Sequence, residues 1–170
     1  YAVIVAAGAG KRMNMTQNQQ FVSIAGKPVL ARTIQAFEDC DRIDEIVVVV
    51  NGKDIAYCEK EIIERYGFNK VKAVTAGGVE RQDSVFNGLK VLDGSCDVVL
   101  IHDGARPFVE SGIINRCIDG AVEFGSACAA VPVKDTLKIS DECGFIAETP
   151  DRSRFWQVQT PQAFKYGIIM

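Results

Sequence analysis

The sequence predicts an α/β fold in which helices cover both faces of a doubly wound, mostly parallel sheet. Short runs of β-branched and apolar residues alternate along the chain with stretches of helical periodicity, as in successive βα units. The strand candidates are almost continuously apolar, which is typical of strands that are covered on both faces. The chain has 170 residues, 48% of them hydrophobic, and we expect residues 1–170 to form one domain.

Five strands and four intervening helices are predicted. The strand candidates are residues 2–6, 45–50, 72–75, 97–101 and 128–133. The helix candidates have apolar residues three or four positions apart at 30–37, 55–66, 85–92 and 113–122. Pro28 suits the first turn of the first helix, and Gly67, Gly94 and Gly125 suit the ends of the others. Right-handed crossovers between parallel strands follow from this order.

Residues 134–155 interrupt the alternation. Two short alternating runs, 136–139 and 145–148, flank a turn at 140–144 that contains Gly144, as in a β-hairpin. The segment is too polar for a core sheet, so we expect it to project as a β-arm. Because an isolated two-stranded ribbon is marginally stable in water, the arm should pack on a partner, which predicts a homodimer.

Composition and charge exclude several classes of protein. Nineteen Lys and Arg against 22 Asp and Glu give a net charge of −3, which argues against a nucleic-acid partner. The longest apolar run, Ile46–Val50, is far shorter than the ~18 residues of a membrane span, which argues against a membrane protein. Six scattered cysteines and one histidine lack zinc-ligand spacing, so no protein metal site is predicted, and buried reduced thiols of a cytoplasmic protein are expected. The chain stops inside an apolar segment, so we expect a C-terminal part of the domain to be missing.

The first strand runs directly into a glycine-rich corner. Gly8 and Gly10 allow close approach of the backbone to a ligand, and Lys11 and Arg12 follow with positive charge. The dinucleotide fingerprint fails because Met13 stands where its third glycine belongs, and the P-loop pattern fails as well. Ordinary loop chemistry remains an alternative, but the two cations favour phosphate binding.

The third strand also ends in a glycine-rich corner. Gly77 and Gly78 precede Arg81 and Ser84, which lie one helical turn apart and face the same way. A tight turn without ligand is the alternative reading of the two glycines.

The fourth strand ends in His102, Asp103, Gly104 and Arg106. Asp103 and Arg106 are expected to be functional, because ligands of open α/β sheets bind at the carboxyl ends of strands. For His102, a hydrogen-bonded histidine at the sheet edge is favoured over a catalytic base. Three strand ends that carry glycine and arginine therefore converge on one side of the sheet.

Six motifs occur in order along almost the whole chain: AAGAGKRM at 6–13, GKPVL at 26–30, GGVERQDS at 77–84, HDGARP at 102–107, PVKDT at 132–136 and QTPQ at 159–162. The set closely resembles the 2-C-methyl-D-erythritol 4-phosphate cytidylyltransferase family of isoprenoid biosynthesis. The resemblance implies a nucleotidyltransferase that moves CMP from CTP to the polyol phosphate and releases pyrophosphate. It also implies Mg²⁺ held mainly through the CTP phosphates, and a location in the cytoplasm, or in the plastid stroma of a plant.

The resemblance also implies roles for individual residues. It assigns nucleotide binding to Ala6, Ala7, Gly8, Gly10, Lys11, Gly78, Arg81 and Ser84. It assigns the polyol phosphate to Asp103, Arg106, Thr136 and Thr160, and stabilisation of the reacting phosphates to Arg12, Gln19 and Arg152. Thr136 and Arg152, at the two bases of the arm, are implied to act in the neighbouring subunit's site.

Gln19 departs from the family pattern, which has a lysine immediately before the Gln-Phe or Gln-Tyr pair. Glutamine donates a hydrogen bond but carries no charge, so we expect a rate lower by about 10²–10³, unless Lys11 supplies the charge. Lys27 belongs to the next turn and is out of register. Two alternatives stay open here: a ribitol-5-phosphate cytidylyltransferase, and a catalytically weakened CTP-binding module.

Overall fold

The computed structural model describes residues 1–8, 19–92 and 94–170, and a six-stranded sheet forms its centre. The strands are β1 (Ala2–Ala6), β2 (Ser23–Ile24), β3 (Lys27–Pro28), β4 (Ile46–Val50), β5 (Val71–Ala76), β6 (Val98–Asp103), β7 (Ser126–Pro132), β8 (Ile139–Ser140), β9 (Ile146–Glu148) and β10 (Trp156–Lys165). The helices are α1 (Val29–Glu38), α2 (Ile55–Cys58), α3 (Arg81–Leu89), α4 (Ser111–Phe124) and α5 (Tyr166–Ile169).

The sheet has the order β5-β4-β1-β6-β10-β7. Strands β5, β4, β1 and β6 are parallel, whereas β10 runs antiparallel to both β6 and β7. The chain leaves β1 towards β4 on one side and returns to β6 on the other, so the order reverses between β1 and β6. The prediction of a doubly wound, mostly parallel sheet is confirmed.

Alternate residues of the strands point to opposite faces of the sheet, and helices pack on each face to form two separate cores. Ile4, Val48 and Leu100 pack with apolar residues of α1 and α4 on one face. Val3 and Ile101 belong to the second core, which includes residues of α3 and reaches α5. Strands buried in this way need apolar residues at every position, which explains their continuous apolar runs.

Several boundaries differ from the prediction. Helix α3 ends at Leu89 rather than near Gly94, because Val91 and Leu92 donate backbone hydrogen bonds to carbonyls only three residues back (3.2 and 3.1 Å). The helix after β4 includes a π-helical segment, Glu59–Glu64, before Gly67 ends it at a φ of +66°. The arm is a hairpin as predicted, but its paired strands are shorter, β8 and β9.

Strand β10 was not predicted. Its sequence, WQVQTPQAFK, mixes polar residues and Pro161 with apolar ones, and so has neither of the patterns that indicate a strand. Its register on β7 shifts between Val158 and Gln162. A proline has no N–H for the ladder, so the irregularity lies where pairing is weakest.

The six cysteines are all free, and four of them are buried as predicted: Cys40, Cys58, Cys96 and Cys117. Cys128 and Cys143 are exposed, against the prediction, because they lie on the open surface of β7 and in the turn of the arm. Across the described part of the chain, no helix has the length and apolar character to cross a membrane.

Candidate active site

The carboxyl ends of β1 and β6 adjoin at the point where the strand order reverses. In open α/β sheets this crevice is where ligands bind. Ala7 and Gly8 follow β1 there, and the turn from Asp103 to Arg106 follows β6. Gly104 brings the two together, since its N–H donates to the Val5 carbonyl at 2.8 Å. A Cβ on Gly104 would lie 2.8 Å from that of Ala6, so only glycine fits this approach.

A carboxylate and two guanidinium groups form the rim of this crevice. Arg81 donates to Asp103 Oδ1 from Nη2 at 2.8 Å and from Nε at 3.1 Å. Arg106 Nε donates to Asp103 Oδ2 at 3.2 Å. The Asp103 carboxylate therefore orients two guanidinium groups that lie 25 positions apart in the sequence. The three side chains together carry a net positive charge. Of the three strand ends predicted to converge, those that carry Arg81 and Asp103 with Arg106 do so, whereas Arg12 lies outside the described residues.

The turn after β5 is held by Ser84. The buried Ser84 hydroxyl accepts from the Gly78 N–H at 3.0 Å and donates to the Glu80 carbonyl at 3.2 Å. A Cβ on Gly78 would lie 2.2 Å from that of Asp83, and one on Gly77 would lie 2.3 Å from that of Ala7. The two glycines are thus required by close packing against β1 and α3, and not only by a tight turn.

The irregularity of β10 brings Gln159 and Thr160 to the same rim. Thr160 Oγ1 accepts the Asp103 N–H at 3.2 Å. Gln159 Oε1 accepts a hydrogen bond from Arg106 Nη1. Because strand pairing breaks here, these two residues are free to bind the β6 turn instead of continuing the ladder on β7.

Two cavities open on this rim. The smaller, about 610 Å³, lies over the ends of β1 and β5, and its lining includes Ala6, Ala7, Gly8, Gly78, Arg81, Ser84 and Asp103. The larger, about 1010 Å³, is mostly apolar and lies between α4, β7 and the turn after β6, with Arg106, Gln159 and Thr160 in its wall. Gln19 and Ala105 line both cavities, so the two meet at these residues.

Gln19 begins a 3₁₀ turn, Gln19–Phe21, that borders β1. The next residue, Gln20, is buried and its Nε2 donates to the Ala6 carbonyl at 2.6 Å, which fixes the turn against the strand. Lys27 does not take the place of the lysine that the family resemblance implies at position 19. Its ammonium donates to Gln35 Oε1 at 2.8 Å and lies 4.9 Å from the ring centroid of Tyr66, away from both cavities.

His102 is fully buried in a central strand, not at the sheet edge. One ring nitrogen, Nε2, lies 3.1 Å from the Arg106 carbonyl oxygen, and the ring packs 4.9 Å from that of Phe37. Desolvation lowers the pKa of His102 from 6.5 to about 4, although the hydrogen bond to Arg106 and the charge of Asp103 oppose the shift. The favoured reading of a hydrogen-bonded histidine fits this geometry, since the side chain lines neither cavity.

Most candidate residues from the sequence lie on one of the two cavities. Those on the described rim are Ala6, Ala7, Gly8, Gln19, Gly78, Arg81, Ser84, Asp103, Arg106 and Thr160. Gly10, Lys11 and Arg12 lie outside the described residues. Thr136 and Arg152 are exposed on the arm and line neither cavity of their own chain.

Sequence reasoning missed three polar residues of the site. Gln159 was part of a recognised motif but was not singled out, and Gln20 was seen only as a neighbour of Gln19. Asn51 follows β4, lines the smaller cavity and accepts the Lys53 N–H at 3.3 Å. Its position at the carboxyl end of a parallel strand was the available signal.

An arginine-rimmed cavity at the reversal point of a doubly wound sheet, lined by glycine turns, defines a nucleotide-binding α/β enzyme. The family model "2-C-methyl-D-erythritol 4-phosphate cytidylyltransferase" matches residues 1–170. A protein of that name from Alkaliphilus oremlandii is 49% identical over 168 residues, which are 99% of this chain and 71% of the relative. One from Clostridium acetobutylicum is 51% identical over 169 residues, with 99% and 73% covered.

A solved structure extends the likeness to three dimensions. The 4-diphosphocytidyl-2C-methyl-D-erythritol synthase of Anaerococcus prevotii has a TM-score of 0.85 and 34% identity, covering 98% of this chain and 70% of its own. The chain belongs to the 2-C-methyl-D-erythritol 4-phosphate cytidylyltransferase family. It is therefore a nucleotidyltransferase of isoprenoid biosynthesis, and the ribitol-5-phosphate alternative is not favoured.

Proposed function

We propose that the two adjoining cavities hold the two reactants of CMP transfer from CTP to 2-C-methyl-D-erythritol 4-phosphate. The smaller cavity takes the nucleotide, and the rim of the larger one takes the polyol phosphate. One observation carries this assignment: the cavities meet at Gln19 and Ala105, directly beside the Asp103 turn. Reactants in the two cavities would therefore meet there, as a bimolecular transfer requires.

The nucleotide half is formed by backbone. Ala6, Ala7, Gly8 and Gly10 offer N–H groups to the phosphates and ribose, and Lys11 adds charge. Gly78, Arg81 and Ser84 read the cytosine. Because the Ser84 hydroxyl already accepts from Gly78 and donates to Glu80, its remaining capacity is one acceptor lone pair, so base recognition relies on the turn that it fixes.

The acceptor half combines charge of both signs. Arg106 and Thr160 suit the phosphate of the polyol, through a guanidinium fork and a hydroxyl. Asp103 lines the smaller cavity, next to Ala105, where the two cavities meet. Its carboxylate would repel that phosphate, so its partners are the two arginines that it orients and the hydroxyl groups of the polyol. A substrate with a phosphate at one end and hydroxyls at the other matches this distribution.

The transfer needs no covalent enzyme intermediate. An ionised phosphate oxygen of the polyol attacks the α-phosphorus of CTP in line, and a new P–O bond forms. The bond from the α-phosphorus to the β-bridging oxygen breaks, and pyrophosphate leaves with the electron pair; no proton needs to be removed from the nucleophile. Arg12 and Gln19 stabilise the charge that spreads over the α-phosphate and the leaving group.

Mg²⁺ suits this site as a ligand of the nucleotide. Among the described residues no group of three or more carboxylates, histidines or cysteines is positioned to hold a metal ion, and Asp103 is engaged by two arginines. The CTP phosphates would therefore supply most of the oxygen ligands that Mg²⁺ prefers. When bound, the ion neutralises phosphate charge.

Residues 1–170 form one nucleotidyltransferase domain, from which the arm, residues 134–155, projects. Exposed apolar residues on the arm support a homodimer. Phe145 and Ile146 are 73% and 64% exposed on the arm, and apolar groups in such a ribbon need a covering surface. Arg152 Nη1 donates to the Lys134 carbonyl, which joins the two bases of the arm. We infer that Thr136 and Arg152 complete the partner's site, because they line neither cavity of their own chain.

Pyrophosphate release tests the reaction. The chain is incubated with Mg²⁺, the polyol phosphate and CTP, UTP or ATP, and the CTP reactions are repeated with ribitol 5-phosphate. Release with CTP and 2-C-methyl-D-erythritol 4-phosphate above all other pairs supports the proposal. Equal release with UTP would contradict the role of the Gly78 turn, and CTP binding without release would favour the CTP-binding module.

Mixed dimers test the arm. Asp103→Ala damages the acceptor site within a chain, whereas Arg152→Ala damages the partner's. If the arm acts across the dimer, co-expression of the two variants restores one intact site per mixed dimer, although each variant alone is inactive. Absence of recovery in mixed dimers would show that Arg152 acts in its own subunit.

A further inference from the structure

The turn from Asp103 to Arg106 is held from inside the protein by two buried side chains. Thr33 Oγ1 donates to the Gly104 carbonyl at 2.8 Å, and His102 Nε2 lies 3.1 Å from the Arg106 carbonyl. Both side chains are fully buried and neither lines a cavity. On the rim side the turn is held by Thr160 at the Asp103 N–H and by the hydrogen bonds of the Asp103 and Arg106 side chains to Arg81 and Gln159. Thr33 and His102 are the side chains that hold its carbonyls.

We infer that His102 and Thr33 are positioning residues for the acceptor site: together they fix the backbone from which Asp103 and Arg106 reach the polyol phosphate. The inference rests on the proposed function of that rim. Its mechanism is indirect, because each residue binds a carbonyl of the turn rather than a reactant. Without Thr33 the Gly104 carbonyl, in a buried residue, would be left unsatisfied, and the turn would move to reach water. Without His102 the partly buried Arg106 carbonyl would lose its fixed position.

The tautomer of His102 follows from its partners. A carbonyl oxygen only accepts, so Nε2 facing Arg106 must carry the hydrogen. Nδ1 is buried and has no hydrogen-bond partner among the described residues, so a hydrogen there would be an orphaned donor. The neutral Nε2–H form satisfies both conditions. Burial also lowers the pKa of His102 to about 4, which keeps this form at neutral pH.

These constraints separate positioning from acid–base catalysis. A general base needs a free nitrogen within hydrogen-bond reach of the reactant. The free Nδ1 of His102 is sealed in the core, and the ring packs 4.9 Å from that of Phe37. Nδ1 of His102 is therefore not exposed to either cavity.

Thr33 acts from a distant part of the sequence. It lies on α1, 71 positions before Gly104, and its hydroxyl also lies 3.1 Å from the Val29 carbonyl within the helix. Valine would fill the same space without the donor. The position of the turn therefore depends on how α1 packs on the sheet, because the Thr33 hydroxyl of α1 binds the Gly104 carbonyl of the turn.

Matched pairs of variants test the inference by steady-state kinetics. His102→Phe keeps a ring but removes the donor, whereas His102→Gln keeps an N–H near the position of Nε2. Thr33→Val removes the hydroxyl, whereas Thr33→Ser keeps it. We expect His102→Phe and Thr33→Val to raise KM for the polyol phosphate about tenfold or more, since small misplacements of contacting groups are costly. Because Asp103 and Ala105 also line the smaller cavity, KM for CTP should rise as well, but by less than KM for the polyol phosphate. The Gln and Ser variants should recover most of the loss.

Equal losses in the donor-keeping and donor-removing members of both pairs would overturn the inference, as would equal increases in both KM values. Nuclear magnetic resonance of ¹⁵N-labelled histidine gives a readout without activity, because the chain has a single histidine. The Nε2–H tautomer with no titration between about pH 5.5 and 8 supports the inference, and an Nδ1–H tautomer refutes it. If the wild-type chain releases no pyrophosphate, the proposed function fails, but this measurement still decides the tautomer.

Discussion

Replacement of Gln19 by lysine should accelerate the reaction. Gln19 lines both cavities, so a charge placed there would act on the α-phosphate and on the attacking phosphate oxygen. The described residues offer no obvious substitute from the next turn, since the Lys27 ammonium is bound to Gln35. At position 19 the chain therefore has a hydrogen-bond donor, whereas the family resemblance implies a charge there.

Two independent arguments set the size of the effect. A unit charge about 4 Å from a phosphate charge, at the effective dielectric of about 20 found near protein surfaces, is worth about 4 kcal/mol before the cost of ordering the side chain. Removal of one preorganised transition-state donor costs about 10²–10³ in rate in other enzymes. Gln19 is half-buried, so solvent screens a new charge only partly. We therefore expect kcat to rise by about 10²–10³.

The assay is steady-state pyrophosphate release with saturating CTP and polyol phosphate. Gln19→Met is the matched control, because it has similar length to lysine but neither charge nor donor. We expect it to be slower than the wild type, so that charge rather than side-chain length explains any gain. A Gln19→Lys variant no faster than the wild type would refute the assignment of position 19 to the reacting phosphates.

Three further predictions concern the glycine packing and His102. Gly78→Ala puts a Cβ 2.2 Å from that of Asp83, so calorimetry should show CTP affinity at least about tenfold weaker; unchanged affinity would exclude this turn from the nucleotide site. Gly88→Ala puts a Cβ 2.5 Å from Val3 Cγ1, and such overpacking costs about 1–3 kcal/mol. Because alanine gains about 1 kcal/mol in helix propensity, thermal unfolding should show a net loss of up to about 2 kcal/mol. The pKa of His102 is lowered from 6.5 to about 4, so the folded state binds fewer protons than the unfolded state between these pH values. The free energy of unfolding should therefore be highest above pH 6.5 and fall by about 3 kcal/mol as pH drops to 4, and His102→Gln should remove that part of the dependence.

The parallel half of the fold was predictable because its signals are local and mutually consistent. Apolar runs gave β1, β4 and β6 to within two residues, since strands that are buried on both faces are almost continuously apolar. The edge strand β5, whose sequence includes Lys72 and Thr75, was also predicted to within one residue. Gly67 and Gly125 end their helices at φ values of +66° and +91°, as glycine does at a left-handed cap. The glycine-rich corners of the candidate site could be predicted from these strands, because ligands in such sheets bind where parallel strands end.

The remaining features depend on contacts between distant residues. The polar, proline-containing sequence of β10 is strand only because β6 and β7 offer edges on both sides of it. The spacing of apolar residues predicts one helix over 85–92, but the helix ends at Leu89, and the turn that follows places Leu92 in the second core. The hydrogen bond from Thr33 to Gly104 spans 71 positions and has no local pattern.

The two halves of the site therefore have different structural origins. The nucleotide half is lined by residues at the carboxyl ends of β1, β4, β5 and β6 and by the turn Gln19–Phe21, and among the described residues β10 contributes none of its lining. The acceptor half needs β10, because Gln159 and Thr160 bind the β6 turn only where the antiparallel strand loses its register. Changes in β10 should then alter the choice of acceptor while leaving CTP recognition intact. Thr160→Val tests this separation: it should weaken the polyol phosphate at least about tenfold with CTP affinity unchanged, and parallel loss of both would show that the halves are not independent.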